Sequence, residues 1–481
     1  MSSKKITTSR IKLPVIASIN LAMLAGLSGT VNAQNAQPSG PNVIFIMLDD
    51  MGTINGIENI KMPNLDRLRK SSVSFSKANC PAPLCMPSRA SFFTGIYPHN
   101  SGAYSNGNDP WNRSEVLKQA ETLPELFRRN GYYTVGRGKV YHANLEPGRI
   151  ERNFDNRPIY EGGFGPFPDK QHQVFTPKDK FPEFWGVQAF PDSIFPDVNN
   201  GNFVIDFLNQ KHDKPFFIAY GLYRPHTPFT APQRFFDLYD SAKIEIPKGY
   251  RADDLDDVLE YGRKMLDPFG RFEVTGANNI DRWKHFIHGY YACASFADWN
   301  IGRVVDALDK SRYAKNTIIV ILSDNGFHLG VKNHWEKNTM WNESTMVPLI
   351  IKVSGSPVNG SVVDSPVGLI DLYPTIVDLC KLTAPRQKLD GRSLRPFIEQ
   401  RGFTWDRPAL TTFGENLLSL QNDRYRYIQY PDGTAELYDY IRDPYEWTNL
   451  INRENMTPVI KELKKHIPSF FRKDLPGGRK N

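Results

Sequence analysis

The chain has 481 residues, 40% hydrophobic and 23% charged, with 35 Gly and 36 Pro. That balance describes a loop-rich globular protein with one large or two moderate cores, and it excludes a fibre, a coiled coil or a disordered chain. Four cysteines over this length exclude a disulfide-dense scaffold, and the formal net charge of +7 needs a correction before it says anything about partners.

The correction comes from residues 1–33, which have the layout of a removable export signal. Lys4, Lys5, Arg10 and Lys12 make a positive start, residues 13–27 are apolar, and Val31-Asn32-Ala33 offers the small residues a signal peptidase accepts. The apolar run is short for a membrane span and contains Pro14, Ser18 and Asn20. No cysteine directly follows the cleavage site, so no lipid anchor is expected there. Removal of four positive residues with no acidic counterpart leaves +3. A nearly neutral chain gives no electrostatic reason to expect nucleic acid as a partner. The expectation is a secreted or periplasmic protein with no membrane anchor in its mature form.

Residues 42–48 form a continuous apolar, β-branched-rich run that predicts a buried strand. Residues 117–129, closed by Asn130-Gly131, predict a helix, and 132–135 a second strand. The stretch 148–196 is rich in Pro, Phe, Gly and Asp and shows no period, as expected of an insertion that builds a binding surface. Further strands are predicted at 216–220, 317–322 and 348–353, with a long helix at 282–308. Strands alternating with helices predict an α/β fold over 41–384, a large, mostly parallel central sheet sandwiched by helices. Past residue 385 the character changes. Residues 425–430, the turn Pro431-Asp432-Gly433 and residues 435–439 predict an antiparallel hairpin, and 457–466 a closing helix. These predict a smaller C-terminal antiparallel-sheet subdomain over 385–481.

Function collects at the carboxyl ends of strands in such sheets. Here the first strand runs into Asp49-Asp50, the second into Gly138-Lys139-Val140-Tyr141-His142, the third into Arg224-Pro225-His226 and the fourth into Ser323-Asp324-Asn325. Asp and Asn also cap helices and make turns, which is a sufficient reading of any one of these ends alone. Asp49, Asp50, Asp324 and Asn325 supply only oxygen donors, which suit Ca²⁺ or Mg²⁺ better than zinc. Three converging carboxylates would repel one another without a cation. In Cys85-Met86-Pro87-Ser88-Arg89, the proline suits a first helical turn. Cys85 would then lie at a helix N-terminus, with Arg89 one turn on and able to pair with an oxyanion. A buried structural thiol and a Cys80–Cys85 disulfide are the plainer alternatives, and Cys293 and Cys380 read as core residues.

The Cys-x-Pro-Ser-Arg run with its downstream Thr94-Gly95 resembles the signature of the type I sulfatases, within the alkaline phosphatase superfamily. The likeness extends through Asp49-Asp50, Gly138-Lys139, Asp324-Asn325-Gly326, Leu329-Gly330, Trp335-x-Lys337, Glu343 and Val347-Pro348-Leu349. Gly138 to His142, Arg224 to Phe229, Asp253 to Asp257 and Glu436 to Asp439 with Asp443 to Trp447 most resemble the iduronate-2-sulfatase-like branch. The resemblance implies that a formylglycine-generating or sulfatase-maturing enzyme converts Cys85 to Cα-formylglycine. One hydroxyl of the hydrated aldehyde would attack sulfur, and the other would later expel sulfate. It further implies one Ca²⁺ per chain on Asp49, Asp50, residue 85, Asp324 and Asn325. Arg89 would orient the hydrate, Lys139 and Lys337 would bind sulfate oxygens, His142 would assist proton transfer and His226 would protonate the leaving alcohol. Arg224, His328 and His334 are candidate substrate contacts.

Two departures stand out. Asn325 replaces a histidine common in that branch, and Val331-Lys332-Asn333-His334 stands where Glu-His-Gly is familiar. Uronate specificity therefore does not carry over. The reading is an exported sulfuric ester hydrolase acting on a sulfated polysaccharide, algal or glycosaminoglycan. A phosphonate or phosphate ester hydrolase of the same superfamily, or a non-catalytic glycan-binding relative, are the alternatives.

Overall fold

The computed structural model describes residues 40–476, apart from 54–58, 108, 143–144, 147, 157–162, 168–172, 175–182, 189–190 and 269. The predicted export signal lies outside the described residues. Its organising element is β1 (Asn42–Asp49), whose eight residues are all buried. Alternation along the strand explains why. Ile44, Ile46 and Leu48 point into one apolar cluster, and Val43, Phe45 and Met47 into another on the opposite face. A strand buried on both faces must be apolar throughout, which is the run read from the sequence.

Five more long strands complete the sheet: β2 (Val73–Asn79), β3 (Tyr133–Gly138), β4 (Phe216–Pro225), β5 (Thr317–Ser323) and β6 (Met346–Lys352). Their order is β2-β6-β5-β1-β4-β3, with short strands Val362–Val363 and Val367–Gly368 on β2. β5, β1, β4 and β3 are mutually parallel neighbours, so their carboxyl ends share one edge. The 31-residue helix Ile280–Lys310 covers one face, burying Trp283, Tyr290, Phe296, Ile301 and Val305. Helices Cys85–Thr94, Leu123–Arg129 and Leu372–Cys380 cover the other.

The central sheet is mostly parallel, as expected; the exception is β6, which runs antiparallel to both neighbours, because no crossover helix carries the chain back after β5: it loops at the carboxyl edge and returns from there. Three expectations need correction. β2, paired in the same sheet, was not among the expected strands. The expected helix at 117–129 is two, Glu115–Gln119 and Leu123–Arg129. Thr122 and Glu125 form a capping box, and Pro124 sits in the first turn, so a new helix starts there. The aperiodic insertion also holds structure: Gln173–Val174 pairs with Glu183–Gln188, which pairs in turn with Phe229–Pro232, as a small sheet.

The later chain forms a four-stranded antiparallel sheet, Ala409–Thr412, Leu418–Gln421, Tyr425–Gln429 and Ala435–Asp439, in sequential order. Leu463 of the helix Thr457–Lys464 packs on it. This sheet reaches the cysteine segment directly, since Thr411 Oγ1 donates to the Cys80 carbonyl at 2.6 Å and Thr412 N to that of Pro81 at 2.9 Å. Cys293 and Cys380 are buried, and all four cysteines are unbridged, Cys80 and Cys85 included.

At the end of β3, the backbone turns with Gly138 at φ 68° against Gly221 of β4, and Lys139 N donates to the Gly221 carbonyl at 3.0 Å. A Cβ on Gly221 would lie 1.8 Å from the Lys139 carbonyl oxygen. Gly221→Ala is expected to cost about 1–3 kcal/mol by forcing the two strands apart. Chemical denaturation checks this, and an unchanged midpoint would contradict so close an approach.

Candidate active site

The shared edge of β5, β1, β4 and β3 presents Asp324-Asn325, Asp49-Asp50, Arg224 to His226 and Lys139 side by side. Asp50 adopts φ 66°, which turns its carboxylate back over the strand end. Its backbone N–H donates to Asp324 Oδ1 at 3.3 Å, and Asn325 Nδ2 donates to Asp50 Oδ1 at 2.8 Å. Cys85 opens the helix Cys85–Thr94 after an extended Leu84 and is fully buried, its Sγ 3.8 Å from Asp50 Oδ1. Ligand atoms of Asp49, Asp50, Cys85 and Asp324 all lie within 4.8 Å of one another.

Three cationic groups answer the three carboxylates. Arg89 Nε donates to Asp324 Oδ2 at 2.7 Å, and its Nη1 donates to the Lys139 and Val140 carbonyls. Lys139 Nζ pairs with Asp49, and Lys337 Nζ with Asp50. Burial raises every one of these carboxyls, but the lysines and Arg89 outweigh it at Asp49, which stays below its usual range. At Asp50 burial wins: despite Lys337, and with Asp49 and Asp324 repelling, its carboxyl is pushed up to about 7. Asp324 is also raised, by burial more than Arg89 can offset.

His226 Nδ1 meets the Thr227 carbonyl at 2.6 Å, and its Nε2 faces Asp50 Oδ2 at 3.6 Å. His142, at φ 55°, has a buried Nδ1 without a hydrogen bond. Burial, then the neighbouring lysines, hold both imidazoles well below the ordinary histidine range. Burial pushes the Cys85 thiol well above its ordinary value.

Asp49 Oδ1 and Asn325 Oδ1 are buried and accept no hydrogen bond. Two hard, unsatisfied oxygens beside two more carboxylates fit a divalent cation of the calcium or magnesium type.

Three candidate substrate contacts have their polar groups engaged by the surrounding chain. Arg224 is buried, and its guanidinium donates to the Thr230, Phe164 and Gly165 carbonyls and to Thr230 Oγ1. Both ring nitrogens of His328 are engaged, with the Val331 carbonyl at 3.1 Å and Thr339 Oγ1 at 2.7 Å. His334 is likewise occupied, by the Lys337 carbonyl and the Asp267 N–H, each at 2.8 Å. All three build the loops that carry other site residues. Residues not anticipated include Ser88, whose hydroxyl donates to the Asp324 carbonyl at 2.6 Å, and Tyr290, whose hydroxyl donates to that of Asp50 at 2.8 Å. Ser88 lies inside the cysteine motif and was within reach of a sequence reading; Tyr290 lies in a helix and carried no signal.

The sequence profile of the Sulfatase family matches residues 41–382, and that described as N-sulphoglucosamine sulphohydrolase, C-terminal, matches 330–473. The chain belongs to the sulfatase family. It is a type I sulfatase of the alkaline phosphatase superfamily, and so an enzyme. A "Sulfatase" of Formosa agariphila is 39% identical over 446 residues, covering 89% of this chain and 86% of that protein. An "Ulvan-active sulfatase" of the same organism is 28% identical over 487 residues, covering 96% and 86%. The crystal structure of a phosphonate monoester hydrolase of Agrobacterium radiobacter superposes with a TM-score of 0.69 at 21% identity, covering 88% and 94%, a likeness of fold.

The unfamiliar Val331-Lys332-Asn333-His334 stretch turns inward in this sulfatase. Lys332, at φ 57° and buried, donates to Asp254 Oδ1 at 3.0 Å and to the Glu446 carbonyl at 2.8 Å. Removing one partner of a buried pair strands the other charge, so Lys332→Ala is expected to cost about 3–5 kcal/mol. Lys332→Met with Asp254→Leu should recover much of that. Urea denaturation of the variants decides it, and a single variant as stable as the native protein would show that the pair carries no weight.

Proposed function

We propose that this sulfatase is an exported hydrolase that removes sulfate from a sulfated polysaccharide or its oligosaccharides. Its nucleophile would be formylglycine at position 85, and Ca²⁺ would be held by Asp49, Asp50, Asp324 and Asn325. The observation that carries the reading is the convergence of ligand atoms from Asp49, Asp50, Cys85 and Asp324 within 4.8 Å of one another, flanked by two lysines and two histidines. An unmodified Cys85 suits the role poorly: a thiol raised so far stays protonated near neutrality and is a weak nucleophile. The cysteine Sγ stands where an oxygen of the hydrated aldehyde would lie, and that hydrate would supply the attacking hydroxyl. A divalent cation would neutralise the carboxylates and polarise oxygens bound to it.

The remaining work falls to side chains of the chain itself. Arg89 fixes Asp324 and backs residue 85 from one helical turn away. Lys139 and Lys337, which now balance Asp49 and Asp50, would be released by a bound cation to receive the anionic ester. His226 has Nδ1 committed to a carbonyl, so Nε2 is the atom through which a proton reaches the leaving alcohol. His142, three residues on from Lys139, would serve the nucleophile's proton transfers. Export is supported by the pattern of residues 1–33, and a polysaccharide substrate by the ulvan-active relative.

The test uses protein whose residue-85 peptide has been checked by mass spectrometry. It is offered oligosaccharides from ulvan and from glycosaminoglycans, 4-nitrophenyl sulfate and a phenylphosphonate ester, with released sulfate measured by ion chromatography. Sulfate release is expected from at least one sulfated sugar, with Cys85→Ala slower by about 10³-fold or more and His226→Ala by about 10²–10⁴-fold. Near-native rates in Cys85→Ala would remove the nucleophile. Faster phosphonate turnover than any sulfate turnover would move the protein to the other ester class.

A further inference from the structure

Phe164 belongs to the irregular insertion, yet it reaches the proposed reaction centre. Its ring lies 4.5 Å from the His226 imidazole at 34° and beneath Lys139 Nζ at 4.9 Å. The ring is braced edge-on by Tyr223 at 5.2 Å. Its backbone is pinned as well: Arg224 Nη2 donates to the Phe164 carbonyl at 3.0 Å, and Thr230 Oγ1 donates to the Pro166 carbonyl at 2.9 Å. The arginine that the sequence nominated for substrate is thus spent on fixing this aromatic residue.

We propose that Phe164 is a positioning residue for proton donation: it holds the His226 ring from one face so that Nε2 meets the ester oxygen. The inference rests on His226 acting as the general acid. Nδ1 meets the Thr227 carbonyl at 2.6 Å and Thr227 Oγ1 at 3.3 Å, but contacts at that one atom leave the ring free to swing about it. The phenyl face removes that freedom. In the step concerned His226 enters as imidazolium, its Nδ1–H on the Thr227 carbonyl and its charge matched by the anionic ester. The S–O(alcohol) bond breaks, its electron pair stays on the alcohol oxygen, and the Nε2 proton moves to that oxygen, leaving neutral imidazole, while a new S–O bond forms to a hydrate hydroxyl of residue 85, whose proton passes to His142. A ring tilted away would leave the oxygen to depart as an alkoxide, which matters most for a weakly acidic alcohol.

That dependence gives a readout that a merely structural role would not move. With phenyl sulfate and 4-nitrophenyl sulfate as probes, Phe164→Ala is expected to lose about tenfold or more in kcat/KM on the first and less than about threefold on the second. Phe164→Tyr, which keeps the ring, should stay near native on both. Phe164→Leu keeps apolar bulk and gives the same selective loss should the alanine variant not fold. His226→Ala is run alongside and should show a larger selectivity of the same sign. Equal loss on both probes, or no loss, in Phe164→Ala while His226→Ala is selective overturns the positioning role. An unselective His226→Ala overturns the general-acid reading itself.

Discussion

The structure is organised around three buried carboxylates that the sheet forces together. Two unit charges about 4 Å apart repel by about 4 kcal/mol at an effective dielectric of about 20, so Asp49, Asp50 and Asp324 cannot share one edge uncompensated. Arg89, Lys139 and Lys337 each answer one of them, and each comes from a different part of the chain. Burial, with repulsion from Asp49 and Asp324, still raises the Asp50 carboxyl against the pull of Lys337. Two buried oxygens, on Asp49 and Asn325, accept no hydrogen bond. A site whose hard oxygen donors are left without partners suits a cation, and under the proposed reading its lysines would then be free to take an anion.

Much of the rest of the fold holds that edge in place. Cys85 can open a buried helix because the preceding segment is tied on both sides, to the Thr345 carbonyl through Cys80 N and to the small C-terminal sheet through Thr411. The loop bearing Lys337 is fastened internally by His328 and His334 and outward by Lys332 to Asp254 and Glu446. The Glu446 carboxylate meets Arg426 at 2.9 Å while its carbonyl accepts from Lys332, so Glu446 links the C-terminal sheet to the lysine loop. The late strands are therefore structural partners of the site even though they place no side chain among Asp49, Asp50, Asp324 and Asn325.

The sequence made the parallel core and its polar strand ends legible because both depend on short-range pattern. Apolar runs buried on both faces betray β1 and β5, and Asp or Lys immediately after such runs falls at the carboxyl edge by geometry. The partners of Asp49 and Asp50 could be named only through motif resemblance, since nothing local says that Lys337 returns to Asp50. What local pattern could not show was direction and destination. β6 looks like any other buried strand, and only the missing crossover makes it antiparallel. Arg224, His328 and His334 carry the right chemistry for a substrate, but their hydrogen bonds are long-range or fold back within loops, so their structural role follows only from the folded chain. Lys332 reads as a departure at a substrate loop, and its inward turn depends on Asp254 and Glu446, far away in sequence.

The central claim is that Asp49, Asp50, Asp324 and Asn325 make one cation site on the sheet edge. Calorimetric titration of Ca²⁺ into metal-stripped protein tests it most directly. The account predicts one bound ion per chain, with affinity reduced about 10–100-fold or more in Asp324→Asn and in Asp49→Asn. A native protein that takes up no divalent ion, or variants that bind it as tightly as the native chain, would contradict it.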